Sequence, residues 1–226
     1  MKLYFFSCGF LKSTKGLFVN GGGNDAFCVP VPFFLIQHRG KNILFDTGNH
    51  CADMSGHLQE KLTRTVRPVF REEELAHHAI QTLGVQPENI DFIILSHLHH
   101  DHAGEICQFP NATVIVQQAE YDYAHRPDYF MEQTYYADEV PAQGIDWYFL
   151  QGKADDRFDL FGDGRIVIYY TPGHTIGHQS LLVRTEKDGA FLLAADACYT
   201  AENIADGVLP GLVLDSHAYL HNLVTF

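Results

Sequence analysis

The chain has 226 residues, of which 46% are hydrophobic and 19% charged, so a single domain spanning residues 1–226 with a sizeable core is expected. The formal net charge is −13 and no run of lysines and arginines is present, which argues against nucleic acid as the main partner. No stretch of about 18 apolar residues occurs, so no membrane span is predicted.

The five cysteines are odd in number and scattered, and no Cys-x-x-Cys pair occurs among them. The apolar start of the chain is too short for a secretory leader and favours a first strand instead. Reduced thiols and a cytoplasmic location are therefore expected. Cys198 lies near the candidate site described below, where a small apolar packing role is the expected one.

Apolar and β-branched runs indicate strands throughout the chain, and only a few segments have helical periodicity. The predicted strands are Leu3–Phe10, Phe33–Gln37, Asn42–Asp46, Ile90–Leu95, Thr113–Val116, Arg165–Thr171, Ser180–Arg184 and Ala190–Asp196. The predicted helices are Glu72–Leu83, Ala119–His125 and a C-terminal one from Ser216 to Val224. This succession predicts a layered α/β domain with sheets inside.

Three segments carry particular expectations. Lys12–Gly23 is polar and ends in three glycines, which is typical of a flexible loop. Glu72–Leu83 combines an acidic first turn and helical spacing of its apolar residues with Gly84 as the stop. Phe130–Gly164 is aromatic and acidic without a clear period, so a lid or an insertion beside the substrate is expected there.

The segment from His97 to Gly104 directly follows the apolar strand Ile90–Leu95. It holds four potential metal ligands within six positions, namely His97, His99, Asp101 and His102. A loop that leaves a buried strand can turn several side chains toward one point, and imidazole with carboxylate suits zinc, manganese, iron or cobalt. Chance clustering is the alternative, since the chain has 14 histidines. The H-x-H-x-D-H order favours a metal site and hydrolysis by a metal-activated water.

Two other strand ends supply further candidate ligands. His174 follows a predicted strand in a Thr-Pro-Gly-His turn, where the proline and the glycine can project the imidazole. Asp196 closes the apolar strand Ala190–Asp196. A carboxylate in that place is usually a cap or a turn residue, but here it completes a ligand pattern, so a ligand role is predicted.

The order H-x-H-x-D-H, Thr-Pro-Gly-His and a strand-ending aspartate resembles that of the metallo-β-lactamase superfamily. A finer likeness, over nearly the whole chain, is to its quorum-quenching N-acyl homoserine lactonases and the related γ-butyrolactone hydrolases. The segments that carry it, besides the metal loop, are Val31–Leu35, Asp46–Asn49, Phe109–Thr113, Gly162–Gly164, Thr171–His174, Gly177–Ser180 and Asp196–Thr200. The resemblance implies an αββα sandwich with the metals at one edge. It also implies a metal-dependent hydrolase that opens a lactone ring with a metal-bound hydroxide.

The resemblance further implies a ligand set for two divalent ions, of which zinc is favoured. The implied ligands are His97, His99 and His174 for one metal, Asp101 and His102 for the other, and Asp196 as a bridge between the two. Relatives of this type are often dimers, so a homodimer is favoured, with a small-molecule lactone as the substrate.

Four other roles follow from the same resemblance. Tyr199 would donate a hydrogen bond to the substrate oxygen, and Asp101 would pass a proton to the leaving alkoxide as general acid. Asp46 would orient a ligand histidine. His178 would either do the same or simply shape a turn.

Two features depart from the pattern of these lactonases. Their pattern has one more histidine ligand, in a Gly-His-Asp segment near the C-terminus, and no such segment follows Asp196 here. His217 and His221 are the only later histidines, and both lie on the predicted C-terminal helix. We therefore expect a truncated chain, or a second metal site that lacks one ligand and binds its metal more weakly. His100 stands where these relatives usually carry an apolar residue that faces the substrate.

Two other functions stay open at this point. A thioesterase resembling glyoxalase II would use the same ligands without needing Tyr199, although no basic patch for its glutathione substrate is evident. A degenerate metal-binding relative with weak activity is the second, and the missing histidine is its support. Five aromatic residues either line an acyl pocket or belong to the core, namely Phe33, Phe130, Tyr135, Trp147 and Phe149.

Overall fold

The strands form two sheets in the computed structural model, which describes residues 1–55, 66–135, 140–141 and 143–225. The larger sheet contains β1 (Lys2–Thr14), β2 (Ala26–His38), β3 (Lys41–Phe45), β4 (Arg67–Val69), β5 (Phe92–Ile94), β6 (Thr113–Gln117) and β7 (Asp146–Leu150). The smaller sheet contains β8 (Arg157–Asp159), β9 (Ile166–Tyr170), β10 (Gln179–Arg184) and β11 (Ala190–Leu193). The strand orders are β4-β1-β2-β3-β5-β6-β7 and β11-β10-β9-β8.

The larger sheet changes from antiparallel to parallel pairing at β3. β4, β1, β2 and β3 pair antiparallel in that order, whereas β3, β5, β6 and β7 run parallel to one another. The smaller sheet is antiparallel throughout its described strands. Because neighbouring parallel strands end at the same edge of a sheet, the residues that follow β3 and β5 are brought side by side.

The helices of the described residues are short; four lie in connections between strands, and the last two follow the final strand. They are α1 (Lys15–Phe18), α2 (Ala76–Ala79), α3 (His100–Ala103), α4 (Gln118–Ala124), α5 (Ala201–Asp206) and α6 (Ser216–Thr225). The Thr200 hydroxyl caps α5 by accepting a hydrogen bond from the Asn203 N–H. In the part of the chain that the structure describes, no helix combines the length and the apolar character needed to pass through a membrane.

Alternate residues of the central strands face two different cores. Ile36, Ile43 and Ile94 face the smaller sheet, where Ile168 and Leu181 belong to the same cluster. The opposite core contains their strand neighbours together with residues around α2, namely Leu35, Leu44, Ile93, Leu75, Ala76 and Ile80. This period-two alternation puts the second sheet on one face of the larger sheet and helical segments on the other, which confirms the predicted layered α/β class.

The predicted helix Glu72–Leu83 is wrong as a single helix. A 3-10 turn at Glu72–Glu74, then α2, and then a second 3-10 turn at Ile80–Leu83 take its place. Leu75 between the first two is extended, with φ −60° and ψ 141°, and its side chain is buried in the core. Burial of this side chain outweighs helix propensity, because so short a helix is only marginally stable by itself. Gly84 ends the segment, as predicted, and adopts the left-handed conformation.

Strand pairing over long distances also corrects two predictions about loops. The predicted loop Lys12–Gly23 is wrong in its first part, since β1 continues to Thr14 opposite Ala26 and α1 follows directly. The segment Phe130–Gly164 contains β7 and β8, which pair with β6 and β9. The later part of that segment therefore contributes one strand to each sheet, and residues 136–139 and 142 lie outside the described residues.

Burial separates the cysteines, all of which are free thiols, into reactive and protected groups. Burial raises the pKa of the Cys8 thiol to about 12, although hydrogen bonds with Asn49 oppose the shift. Because the thiolate is the reacting form, Cys8 is expected to resist a disulfide reagent in the folded protein at mildly alkaline pH. Cys28, Cys51 and Cys107 are exposed and are expected to react quickly. Thiol counts before and after unfolding measure this, and equal rates for Cys8 and the exposed thiols would contradict it.

Candidate metal centre

Four chain segments meet at one end of the two sheets. Asp46 follows β3, and the segment from Ser96 through α3 follows β5. His174 lies in the turn between β9 and β10, and Asp196 follows β11. The backbone is unusual at two of these strand ends, since φ is 59° at Asp46 and 48° at Ala195. Non-glycine residues rarely adopt positive φ, so the surrounding packing must hold both segments in place.

Three imidazole nitrogens and one carboxylate oxygen surround a common point. His174 Nε2 lies 3.2 Å from His97 Nε2 and 3.1 Å from His99 Nδ1. Asp196 Oδ2 lies 3.2 Å from His174 Nε2 and 3.8 Å from His97 Nε2. Nitrogen ligands about 2.0–2.1 Å from a tetrahedral zinc ion are about 3.3 Å apart, so the spacing of these donors fits such an ion. The four donors lie within 4.8 Å of one another.

A second group of donors adjoins the first through Asp196. Its Oδ1 atom lies 3.4 Å from His102 Nε2, which in turn lies 3.5 Å from Asp101 Oδ2. Asp196 thus presents one oxygen to each group, which is the arrangement of a bridging ligand. The structure brings together all six residues that the sequence predicts as ligands.

Burial and neighbouring charges put most of these side chains in the protonation states that metal ligands need. Burial lowers the pKa of His97 and of His99 well below the usual range of histidine, and neighbouring imidazoles lower it further. Burial opposes ionisation of Asp101 and Asp196, but the adjoining imidazoles, His102 first, outweigh it and hold the pKa of both carboxyls well below the usual range. Neutral imidazoles and ionised carboxylates are the forms that bind divalent metals.

The pKa of His102 moves in the opposite direction. Burial favours its neutral form, but the carboxylates of Asp101, Asp196 and Asp46 outweigh burial and raise the pKa well above the usual range. A cation held by Asp101 and His102 would compete with this proton. Binding of a cation to the second group would therefore require His102 to lose this proton.

Neighbouring side chains hold the ring nitrogens that face away from the donor groups. Asp46 Oδ2 accepts a hydrogen bond from His102 Nδ1 at 2.8 Å, and His97 Nδ1 lies 2.9 Å from Ser96 Oγ. Ser96 also donates to both oxygens of Asp46, from its hydroxyl at 2.9 Å and from its N–H at 2.7 Å. Contacts of this kind fix ring orientation. Ser96 is not among the residues predicted from the sequence, although its place between β5 and His97 indicates that it lies beside the first ligand.

Asp46→Asn is expected to lower zinc affinity by about 10–100-fold, because outer hydrogen bonds of this kind orient ligand rings. Both carboxylate oxygens of Asp46 accept hydrogen bonds from His102 or Ser96, and an asparagine NH₂ group cannot accept either of them. Competition with a chromophoric chelator measures the affinity. The exposed Asp188→Asn is the matched control. Equal affinities of Asp46→Asn and the control would contradict the orienting role of Asp46.

His178 and His100 both lie beside the donor groups. The His178 ring is buried 5.3 Å from the His97 ring, and its Nδ1 lies 3.1 Å from the backbone oxygen of Thr171. It therefore packs against the His97 ring and also contacts the backbone of the turn that begins at Thr171. His100 is buried, with Nε2 3.7 Å from Asp101 Oδ1.

The two later histidines lie elsewhere. His217 and His221 are exposed on α6. Neither belongs to the cluster of potential ligands that the described residues form.

Tyr199 lies at the rim of the centre. Its hydroxyl is 3.3 Å from His174 Nδ1, and its ring packs edge-on against Phe18 with the centroids 5.4 Å apart. Burial raises the pKa of Tyr199 well above its usual range, and the charge of Asp196 raises it further, so the phenol is neutral at physiological pH. The neighbouring Cys198 donates to the backbone oxygen of Thr200 at 3.1 Å.

A cavity of about 530 Å³ borders the second donor group. Its lining includes Asp101, His102 and Asp196, and its other walls are mainly apolar residues of β1, β2 and β11. The five aromatic residues considered from the sequence are absent from its described lining, and Phe33 is fully buried in the core. The centre therefore adjoins apolar surface, while the position of an acyl chain stays a prediction.

Comparison with known proteins gives a consistent result. Residues 26–225 match the family model of the metallo-beta-lactamase superfamily. The N-acyl homoserine lactonase AttM of Azorhizobium caulinodans is 39% identical over 217 residues, which cover 94% of this chain and 82% of that protein. An N-acyl homoserine lactonase of Bacillus cereus is 34% identical over 200 residues, which cover 86% and 74% of the two chains.

Solved structures extend this likeness to the fold. An N-acyl homoserine lactone hydrolase with the product N-hexanoyl-L-homoserine bound at its catalytic metal centre has a TM-score of 0.88 and 28% identity to this chain. The match covers 99% of this chain and 86% of that one. The similarity therefore includes both sheets and every segment that contributes a donor.

Proposed function

Since the chain belongs to the metallo-β-lactamase superfamily and has its αββα sandwich, we propose that it is a metal-dependent lactonase that opens N-acyl homoserine lactones. The observation that carries this proposal is the joining of two donor groups by Asp196, with the Tyr199 hydroxyl at their rim. Curated relatives of 34% and 39% identity that are named N-acyl homoserine lactonases support it. γ-Butyrolactone, which has the same ring, is the alternative substrate of this carboxylic ester hydrolase.

The centre is proposed to hold two divalent ions, with zinc favoured and manganese, iron or cobalt as alternatives. The proposed ligands are His97, His99 and His174 for one ion, Asp101 and His102 for the other, and Asp196 for both. Such ions, when bound, supply a Lewis acid for the lactone carbonyl and a nucleophile from water near neutral pH.

Tyr199 is proposed to donate a hydrogen bond to the substrate oxygen on which negative charge develops. His174 turns Nε2 toward the other donors, so its Nδ1 carries the hydrogen and donates it to the Tyr199 oxygen at 3.3 Å. This contact uses the phenol oxygen as an acceptor, so the O–H, which interacts with Asp196 in this structure, stays available as a donor to the substrate. Burial is the main cause that raises the pKa of Tyr199 well above its usual range. The phenol therefore keeps its proton at neutral pH.

Asp101 is proposed to move the proton that ring opening requires. It is a carboxylate at neutral pH in the metal-free protein, because the imidazole of His102 outweighs burial and holds its pKa well below the usual range, and a bound cation would favour the same form. One of its oxygens accepts a proton from the attacking water and returns it to the alkoxide that leaves the ring carbonyl. The products are one carboxylic acid and one alcohol in the same molecule.

The test monitors ring opening of N-hexanoyl homoserine lactone with a pH-stat, which records the acid released. The metal content of the same preparation is also measured. Acid release that requires bound metal is the expected result. Two metals per chain without acid release would favour a thioester or another ester as substrate. Less than one metal per chain and no acid release would favour a degenerate relative.

Several expectations from the sequence concern the whole protein rather than this site. A single domain, a cytoplasmic location, a homodimer and the exclusion of nucleic acid and membranes as partners stay predictions. They affect neither the chemistry of the donor groups nor its test.

A further inference from the structure

Glu120 in α4 is a fully buried carboxyl group that the chemistry described so far does not use. Glutamate is rarely buried to this degree unless hydrogen-bonding or charged partners compensate it. Here the partners are three hydrogen-bond donors, and they belong to three different segments around the candidate metal centre. A buried group with such partners connects the segments that supply them.

The two oxygens of Glu120 hold two ligand-bearing loops together. Oε1 accepts a hydrogen bond from the Leu98 N–H at 3.1 Å, and Leu98 lies between His97 and His99. Oε2 accepts one from the Gly177 N–H at 2.9 Å, in the turn that begins at His174. One carboxyl group therefore sets the distance between the backbone of the first two histidines and that of the third.

Glycine at position 177 makes this close approach possible. A Cβ atom there would lie 2.4 Å from the Cβ and 2.7 Å from the backbone nitrogen of Glu120. Real Cβ atoms do not approach other atoms so closely. The turn is thus packed directly against the start of α4.

A third hydrogen bond connects Glu120 to His99 through Tyr135. Tyr135 donates its hydroxyl hydrogen to Glu120 Oε1 at 3.0 Å. The Tyr135 ring packs edge-on against the His99 ring, with the centroids 4.7 Å apart at 72°. Glu120 therefore also holds the aromatic ring that fixes the orientation of His99, whose own Nδ1 faces His174.

We infer that Glu120 is a positioning residue that holds His97, His99 and His174 at the separation a single metal ion requires. The inference rests on the metal centre proposed above and assigns part of its affinity to a residue that touches no metal. Without Glu120, the two loops would have to become ordered at this spacing when the metal binds. The free energy of that ordering would lower the metal affinity.

The decisive variant is Glu120→Gln, which keeps the shape of the side chain. Both carboxylate oxygens accept backbone N–H groups, and an amide NH₂ group cannot accept, so either orientation of glutamine loses one of the two loops. We expect zinc to bind the metal-free variant about 10–100-fold more weakly than wild type. Asp122→Asn, an exposed acidic position in the same helix, is the control and should bind zinc as wild type does.

The experiment titrates each metal-free protein with zinc against a chromophoric chelator and records its unfolding temperature without metal. A purely structural Glu120 would lower that temperature and leave zinc affinity unchanged, and this result would overturn the inference. Tyr135→Phe removes only one of the three hydrogen bonds and keeps the ring, so it tests the idea even if Glu120→Gln does not fold. Its expected loss of affinity is smaller, below about tenfold. Wild-type affinity in Tyr135→Phe, with Glu120→Gln unfolded, would contradict the inference. A wild-type protein that binds no zinc would overturn the metal centre itself.

Discussion

Replacing Asp196 with asparagine is expected to lower kcat/KM for N-hexanoyl homoserine lactone by on the order of 10³-fold. Metal ions contribute several kcal/mol to transition-state stabilisation in hydrolases, and each 1.36 kcal/mol corresponds to about tenfold in rate. Asp196 Oδ2 lies 3.2 Å from His174 Nε2 and Oδ1 lies 3.4 Å from His102 Nε2, so an asparagine could serve only one donor group. Metal content should fall together with activity.

The measurements for this variant are steady-state ring opening and metal content after dialysis. Asp206→Asn, at an exposed position of α5, is the matched control and should keep both values. Full metal content and full activity in Asp196→Asn would contradict a shared ligand. Full metal content with low activity would place Asp196 in the reaction but not in metal retention.

Tyr199→Phe is expected to lower kcat by about 10²–10³-fold, as the loss of one hydrogen-bond donor to an oxyanion does in other enzymes. The change removes a single oxygen and keeps the ring that packs against Phe18 with centroids 5.4 Å apart. Burial, aided by Asp196, raises the pKa of Tyr199 well above its usual range, so the wild-type donor is present at all pH values near neutrality. The loss should therefore be the same across that range.

This variant distinguishes a donor to the substrate from a packing residue. A donor that acts mainly in the transition state lowers kcat more than it raises KM. Zinc content should stay near the wild-type value, because the change removes the hydroxyl beside His174 Nδ1 and Asp196 but none of the donor atoms themselves. Tyr129→Phe, at a residue that is 93% exposed, is the control. Wild-type kcat in Tyr199→Phe would leave this tyrosine with a packing role alone.

The candidate ligands could be predicted from short segments of the sequence. His97, His99, Asp101 and His102 lie within six positions after an apolar strand, and the spacing of side chains over so short a segment depends mainly on its own backbone. The same reasoning found His174 and Asp196, because each follows a recognisable strand. Residue type then limited the metals that could bind there.

Of the residues that hold these ligands, Asp46 was named through the family resemblance, whereas Ser96 and Glu120 could not be found from their own segments. Ser96 and Asp46 are 50 positions apart, and Glu120 and Gly177 are 57 positions apart. Nothing in the segment around Glu120 distinguishes it from an exposed helical glutamate, since only the folded chain shows that it is buried. The prediction of a single helix at Glu72–Leu83 was wrong for a related reason. Whether Leu75 is buried depends on residues far away in the sequence.

By itself, the sequence determined the strand-rich α/β class, the donor residues and their places after strands, because period and residue type act within a few positions. Only the tertiary structure decided that His97 and His174, 77 positions apart, face each other at 3.2 Å and that Asp196 turns one oxygen to each donor group. Such distances depend on the order of the strands and on how two sheets pack, which no single segment specifies. The outer contacts of Ser96, Asp46 and Glu120 follow from the same packing, and they fix the orientation of the donors.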